Sequence, residues 1–188
     1  YSKKNLEQIN LSAPGFGRKV VIYSTCFVNY NKKDTGVAAL KVLKKNGVEV
    51  QHSYPSCCGM PYFEQADLEK VVVQAIKVSK DLLKWVDKGY EVITLTASCG
   101  LMLKFEWPLL LPNNENIKRL SKHTKDIDEY VVDIHQQEGL ASGIQEIDGG
   151  VTIHQACHAR AQNMGNKAKV MLKLIPNIKV DSVERCAG

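Results

Sequence analysis

The segment Val20-Val21-Ile22-Tyr23-Ser24-Thr25-Cys26 decides the fold class, because it is a short β-rich run that ends at a cysteine. Such apolar runs are typical of strands that lie buried in a parallel sheet. Residues 34–45 follow with apolar side chains at helical spacing, and Asn46-Gly47 is a helix-ending signal. A second strand is predicted at Val48–Val50, and it leads into Pro55-Ser56-Cys57-Cys58-Gly59. The pattern is therefore a β-Cys-α-β-Cys-Cys unit.

The pattern continues with a long helix and a third strand. Pro61 suits the first turn of a helix, and an amphipathic pattern runs from there to Lys88-Gly89. The third strand is predicted at Glu91–Thr96, shortly before Cys99. Further helices are expected at 100–107, 114–124 and 127–137. Strands that alternate with helices predict an α/β fold with Rossmann-like parallel sheets and right-handed crossovers.

The same unit begins again after Asp148-Gly149-Gly150. Residues 151–157 resemble residues 20–26, and Ile178–Val180 resembles Val48–Val50. Arg185-Cys186-Ala187-Gly188 resembles 56–59, and the offset between equivalent positions changes only from 131 to 129 residues along the repeat. This repetition predicts two related α/β halves, of which the second is truncated.

The repeat suggests a domain organisation for the whole chain. We assign 1–17 to a lead-in, 18–112 to the first half, 113–147 to a helical connection and 148–188 to the start of the second half. Because the chain begins at Tyr1 rather than Met and ends inside a motif, we expect it to be part of a longer polypeptide.

Four cysteines of the first half follow predicted strands: Cys26, Cys57, Cys58 and Cys99. Ligands of parallel sheets bind beyond the carboxyl ends of the strands, so these thiols are expected to converge at one edge. Four thiolates are the usual ligand set of an iron–sulfur cubane. Vicinal cysteines seldom chelate one ion well, but they can reach two irons of a cluster. The residues favour a [4Fe–4S] cluster, with zinc, inert thiols or a disulfide as alternatives.

The second half carries Cys157 and Cys186, but Ala187 stands where the second cysteine of the vicinal pair would lie. These two cysteines cannot complete a cluster within their own half of this chain. We expect them to join a metal site that other residues complete, or to be vestigial. His158, next to Cys157, is a further candidate ligand.

Length and composition limit the other possible functions. The chain has 188 residues, 44% hydrophobic and 24% charged, as in ordinary globular proteins. Neither a signal peptide nor a membrane-spanning segment is evident, so six cysteines indicate metal or redox chemistry in the cytoplasm. The basic runs are not interleaved with aromatic residues, which argues against a nucleic-acid partner. No Ser/His/Asp relay or phosphate-binding glycine loop supports a hydrolase or a kinase.

The cysteine motifs resemble those of the cysteine-rich CCG-domain family. The resemblance covers residues 18–188 and lies in Thr25-Cys26-Phe27-Val28-Asn29, Cys57-Cys58-Gly59-Met60-Pro61, Ser98-Cys99-Gly100 and Cys157-His158-Ala159-Arg160. Family members include subunits of anaerobic glycerol-3-phosphate dehydrogenase and of heterodisulfide reductase, and the iron–sulfur subunits of glycolate and lactate oxidases.

The resemblance implies an iron–sulfur subunit of anaerobic respiration that relays electrons between a flavin-containing dehydrogenase subunit and quinone. It therefore implies a non-flavin subunit of an oxidoreductase complex, peripheral on the inner face of the membrane. The fuller family motif ends in C-x-x-C, whereas Met102 stands at that position here and is expected to be core. This departure favours one four-ligand cluster. A disulfide-reducing subunit of the heterodisulfide reductase type and a zinc-stabilised docking module without redox activity are the alternatives.

Overall fold

A computed structural model describes residues 8–183, which form two parallel sheets flanked by helices. One sheet has four strands and the other has two, and every strand pairing is parallel. The predicted α/β fold with Rossmann-like parallel sheets is therefore confirmed. In the described part of the chain, none of the helices combines the length and apolar character needed to span a bilayer.

The elements of the first sheet and its helices are, in chain order, β1 (Lys19–Tyr23), α1 (Cys26–Tyr30), α2 (Lys33–Lys45), β2 (Glu49–Ser53), α3 (Met60–Phe63), α4 (Leu68–Val86), β3 (Glu91–Thr94), α5 (Ala97–Leu101), α6 (Trp107–Leu110), α7 (Glu115–Lys122), β4 (Thr124–Asp126) and α8 (Ile127–Gln137). A π-helical turn at Met102–Glu106 joins α5 to α6. The remaining elements are β5 (Gly150–His154), α9 (Cys157–Arg160), α10 (Lys167–Leu172) and β6 (Lys179–Val183).

The larger sheet has helices packed on both faces. Successive side chains of β1 point to opposite faces, so Val20 and Ile22 join one core while Val21 and Tyr23 join the other. Helices α2 and α8 cover the first face, and α4 and α7 cover the second. Burial on both faces explains why β1 has an almost continuous apolar sequence.

The strand order of this sheet is β2-β1-β3-β4. From β1 the chain moves to β2 on one side and then returns to β3 on the other side. The direction of progression therefore reverses at β1, which makes the crevice between β1 and β3 the topological switch point. Open α/β sheets bind their ligands in such crevices, beyond the carboxyl ends of the strands.

The small sheet repeats the pairing of the first two strands. Val20 pairs with Val50 in the large sheet, and Val151 pairs with Val180 in the small one. These are the positions that the sequence repeat makes equivalent. The second unit therefore has the same strand–helix–strand arrangement and the same register as the first.

The secondary structure differs from the sequence-based expectation in several places. Strand β2 extends to Ser53, β3 ends at Thr94, and α1 and β4 were not predicted. The helix expected at 114–124 ends at Lys122, because β4 begins at Thr124 and pairs with β3. The helix expected from Pro61 is interrupted before α4, where the Asp67 side chain accepts a capping hydrogen bond from the Lys70 N–H (3.3 Å). The helix expected at 100–107 contains the π-helical turn. The assigned domain limits remain predictions.

Candidate metal centre

Cys26 and Cys99 follow the two strands that flank the switch point. Cys26 is the first residue of α1, and Cys99 lies within α5. The side chain of Thr25 caps α1 by accepting a hydrogen bond from the Val28 N–H (3.2 Å). The hydroxyl oxygens of Thr25 and Thr96 lie 3.2 Å apart and hydrogen-bond to each other. The two cysteine-bearing loops are thus joined directly across the crevice.

Cys57 and Cys58 lie in the loop that follows β2, and two aromatic side chains hold this loop. The Tyr23 hydroxyl donates to the Ser56 carbonyl (2.7 Å), and the indole N–H of buried Trp107 donates to the Cys58 carbonyl (3.1 Å). Buried backbone carbonyls need such partners, so these bonds fix the path of the loop.

Gly59 ends the same loop in a left-handed conformation, with φ +88°. This conformation is favourable for glycine and unfavourable for residues with a Cβ. The Gly59 N–H donates to the Cys57 sulfur (3.5 Å). Backbone N–H groups aimed at a sulfur stabilise negative charge on it.

The second half of the chain fixes the helix that carries Cys99. The Ser98 hydroxyl and His158 Nδ1 are hydrogen-bonded (2.8 Å), and Gln162 Nε2 donates to the Ala97 carbonyl (3.1 Å). Gln162 is only 2% exposed, and its amide lies directly over Gly100. Helix α9 therefore packs against α5 through specific polar contacts. We call this contact, made by Ala97, Ser98, Gly100, His158 and Gln162, the α5–α9 contact.

The four thiols differ in how far they are exposed to solvent. The sulfurs of Cys26 and Cys57 are 3.9 Å apart, and both side chains are partly exposed. Cys58 and Cys99 are buried, with exposed fractions of 2% and 4%. The site is therefore closed on the Cys58 and Cys99 side and more accessible on the Cys26 and Cys57 side.

Burial and crowding disfavour the ionised form of three of these thiols. Burial raises the pKa of Cys26, and the neighbouring Cys57 raises it further. The neighbouring Cys58 thiol and burial raise the pKa of Cys57. The interaction with Cys57 lowers the pKa of Cys58, but Cys99 and burial outweigh it, so the net shift is upward. Each thiolate is therefore unfavourable without a positive partner.

The same environment acts on two tyrosines beside the thiols. Burial, followed by the charges of Cys58, Cys99 and Cys57, raises the pKa of Tyr23. Burial, followed by the charges of Cys26 and Cys57, raises the pKa of Tyr54 to about 12. Both tyrosines consequently stay neutral at physiological pH and act as hydrogen-bonding or packing groups.

The donor set suits a metal centre that carries positive charge. Thiolates are the ligands of iron–sulfur clusters and of zinc, and metal binding removes their protons. Among residues 8–183, no three His, Cys, Asp or Glu side chains converge closely enough to hold one metal ion. In a cubane each thiolate binds a different iron, so that convergence on one ion is not required.

Of the other predicted ligands, Cys157 and His158 lie in the described part of the chain, and Cys186 lies outside it. Cys157 is exposed at the start of α9. His158, expected in a loop as a candidate ligand, instead lies in α9 and hydrogen-bonds Ser98. Met102, expected to be core, is fully buried.

The sequence interpretation missed the side chains that hold the loops. Tyr23, Thr25 and Trp107 carry no ligand chemistry, and the contacts of Tyr23 and Trp107 join positions far apart in sequence. A usable signal was present only for Thr25, because a threonine that precedes a short helix is a common N-cap.

Comparison with known proteins agrees with this geometry. The profile of the CCG family, described as a cysteine-rich domain, matches residues 20–104. Lactate utilization protein A of Macrococcus caseolyticus (strain JCSC5402) is 29% identical over 147 residues, 74% of this chain and 56% of that protein. A subunit of the anaerobic glycerol-3-phosphate dehydrogenase of Escherichia coli (strain K12) is 28% identical over 173 residues, 90% of this chain and 43% of that protein.

A third relative comes from an archaeal reductase. A subunit of the fumarate reductase (CoM/CoB) of Methanothermobacter marburgensis is 26% identical over 178 residues, 92% of this chain and 33% of that protein. The chain thus spans between a third and just over half of the length of these three relatives.

Proposed function

Because residues 20–104 belong to the cysteine-rich CCG domain family, we propose that this chain is an electron-relay part of an oxidoreductase complex. Its cofactor is an iron–sulfur cluster of the [4Fe–4S] type. Cys26, Cys57, Cys58 and Cys99 are its ligands. The cluster, when bound, supplies one-electron transfer, and the chain itself binds, positions and shields it.

The observation that carries this proposal is the placement of the four cysteines. Three loops from the carboxyl ends of β1, β2 and β3 bring them to one edge of the sheet, at its switch point. Burial and the neighbouring thiols raise the pKa values of Cys26, Cys57 and Cys58. A bound cationic centre would take the place of the thiol protons and stabilise the thiolates.

The surrounding residues give the site its rigidity and its polarity. Trp107 and Tyr23 hold the carbonyls of the Cys57-Cys58 loop, so the sulfur positions do not depend on the ligand alone. The Gly59 N–H donates to the Cys57 sulfur, which stabilises the net negative charge that four thiolates give to a bound cluster. Partial exposure of Cys26 and Cys57 makes that side the route by which electrons enter or leave.

The names of the relatives extend the proposal to partners. Two of them are named as subunits, of a glycerol-3-phosphate dehydrogenase and of a fumarate reductase. We propose a flavin-containing dehydrogenase subunit as the electron donor and a quinone as the acceptor. The corresponding location is the cytoplasm, peripheral on the inner face of the membrane.

The direct experiment is metal and sulfide analysis of anaerobically purified protein, with its visible and EPR spectra. About four irons and four sulfides per chain are expected, because an ordinary cubane takes four thiolates. The variant Cys58→Ala should lose the cluster signal, since it removes a buried ligand.

The variant Val78→Ala is the matched control, because Val78 is buried in the same core as Cys58 and offers no ligand atom. Its iron content should equal that of the parent protein. Zinc without sulfide would make the centre a structural zinc site and end the electron-relay proposal. Equal iron content in the parent protein and in Cys58→Ala would remove Cys58 from the ligand set.

A further inference from the structure

An open groove of about 770 Å³ lies beside the thiol group, at the carboxyl ends of β1 and β2. Its walls include Tyr30, Tyr54, Val37, Asn29 and Lys33. We call it the tyrosine groove. Its volume lies within the range of small-molecule sites, which is about 300–1,000 Å³.

The tyrosine groove is continuous with the accessible side of the thiol group. Asn29 and Tyr30 are three and four residues after Cys26 on α1, so the three side chains share one face of that helix. Tyr54 lies between the groove and the cysteines, where the charges of Cys26 and Cys57 act on its hydroxyl. A molecule in the groove therefore lies on the side of the two partly exposed thiols, with the Tyr54 side chain in between.

Aromatic rings form the side of the groove that faces the thiols. The ring centroids of Tyr30 and Tyr54 are 6.2 Å apart in an edge-to-face arrangement, and Tyr54 stacks on Tyr23 at 6.3 Å. Tyr30 is 73% exposed although it belongs to this aromatic group. Planar rings gain contact area and favourable electrostatics against such surfaces.

Lys33 contributes positive charge to the wall of the groove. This lysine is the first residue of α2, a helix of 13 residues whose N-cap, Lys32, makes no side-chain capping bond. Helix N-termini and lysine side chains both favour an anionic group. Of the residues that the structure describes, those lining the groove include no carboxylate, but Asp34 follows Lys33 in α2 and Asp81 accepts a hydrogen bond from the lining Ser53.

We propose that the tyrosine groove binds a planar aromatic ring that carries an anionic group, with the ring against Tyr30 and Tyr54 and the anion near Lys33. This inference rests on the proposed function, because it places an electron-carrying ring beside Cys26 and Cys57. A free quinone with an acidic substituent and a flavin phosphate held by a partner protein share this chemistry.

The test is equilibrium dialysis of the full chain, after its iron content has been measured, with anthraquinone-2-sulfonate as the probe. Riboflavin 5′-phosphate is the second probe, and preferential binding of one of them identifies the source of the ring. The variant Tyr30→Ala should weaken binding about tenfold, the effect of removing one stacking ring. Lys33→Gln should weaken it about threefold, the effect of one exposed charge.

Two matched controls separate the groove from general surface effects. Phe27→Ala removes a half-exposed ring of the same helix α1 that does not line the groove, and Lys41→Gln removes a charge two turns further along α2. Both should leave binding unchanged. Absence of saturable binding, or equal losses for Tyr30→Ala and Phe27→Ala, would overturn the inference.

The iron measurement separates failure of this inference from failure of the proposed function. A protein that holds its cluster but does not bind either probe contradicts the groove alone. A protein that lacks a cluster contradicts the electron-relay proposal, and the groove inference falls with it. Tyr30→Ala should keep the full iron content, because the Tyr30 side chain is mostly exposed.

Discussion

Gly59 has a backbone conformation that few other residues would tolerate at its position. Its φ is +88°, and a Cβ placed there would lie 3.5 Å from the Cα of Val71, an ordinary contact distance. The restriction on this position is therefore conformational rather than steric. Because Gly59 follows Cys58 directly and its N–H contacts the Cys57 sulfur, the same conformation aims the backbone at the thiol group.

The substitution Gly59→Ala should lower the free energy of unfolding by about 1–2 kcal/mol, the strain of a left-handed residue with a Cβ. It should also lower the iron content per chain, because a relaxed backbone would move Cys58. Urea denaturation and metal analysis measure the two effects separately.

Gly89→Ala is the matched control for this substitution. Gly89 has φ +83° and open space around its Cβ position, and it lies far from the cysteines in the turn after α4. Its substitution should lower stability by a similar amount and leave the iron content unchanged. A similar loss of iron in both variants would show that general instability, and not the position of Cys58, controls loading.

Among the elements, α5 is held by a contact that the second half supplies. A Cβ on Gly100 would lie 2.9 Å from both polar side-chain atoms of Gln162 and 2.9 Å from the Thr94 hydroxyl. Gln162 in turn donates to the Ala97 carbonyl. The α5–α9 contact therefore requires a glycine on α5 and an amide side chain just after the end of α9.

A double-mutant cycle tests the α5–α9 contact. Gly100→Ala should cost about 1–3 kcal/mol by overpacking, and Gln162→Ala about 1 kcal/mol by loss of a buried hydrogen bond. The double variant should lose less than the sum, since the new methyl group can occupy space left by the amide. We expect an interaction energy of about 1 kcal/mol, measured by urea denaturation.

Gln155→Ala provides the control for this cycle. Its side chain donates to the Gly165 carbonyl, within the second half, and should combine additively with Gly100→Ala. Additive energies for Gly100→Ala and Gln162→Ala would mean that the two residues do not share a contact.

Local sequence patterns predicted most elements of the fold but not its shortest ones. The apolar run of β1 and the long amphipathic pattern of α4 are strong signals of a central strand and a surface helix. Strand β4 has three residues, Thr124, Lys125 and Asp126, and none is apolar. These residues form a strand because they pair with the edge of β3. Pairing between distant segments leaves no hydrophobic pattern in the local sequence.

For the molecule as a whole, the cysteines of the candidate site could be predicted from the sequence. The side chains that hold their loops in place could not. Strand ends in a parallel sheet meet at one edge, so Cys26, Cys57 and Cys99 could be grouped from their positions after predicted strands. Trp107 holds the Cys58 carbonyl from a position 49 residues later in the chain. Single-sequence reasoning has no access to this contact, because no local pattern connects two positions so far apart.

Arg18 joins the start of the first sheet to a helix more than 110 residues later in the chain. Its guanidinium donates to Asp133 (2.8 Å) and, through Nε and a terminal nitrogen, to Glu138 (2.9–3.1 Å). Burial alone would raise the pKa of Asp133, but the hydrogen bond from Arg18 and the charge of Lys125 outweigh it and lower the pKa. The ionised carboxylate is thus the form that stabilises the fold.

Replacing this arginine should change how stability depends on pH. An acid whose pKa is lowered on folding contributes stability above its unfolded pKa, about 3.8 for Asp133, and loses it as pH falls through the folded value. Arg18→Gln should therefore lower the free energy of unfolding by about 1–2 kcal/mol at pH 5–7. The difference between parent and variant should shrink below about pH 3.8, as urea denaturation across pH can measure.

Lys118→Gln is the control, because Lys118 pairs with Glu115 on the solvent face of a single helix. It should have a smaller effect that added salt removes, whereas the partly buried Arg18 network should be less sensitive to salt. A parent–variant difference for Arg18→Gln that persists undiminished at pH 2.5 would mean that packing of the arginine stem, and not its pairing with Asp133, joins the two parts of the fold.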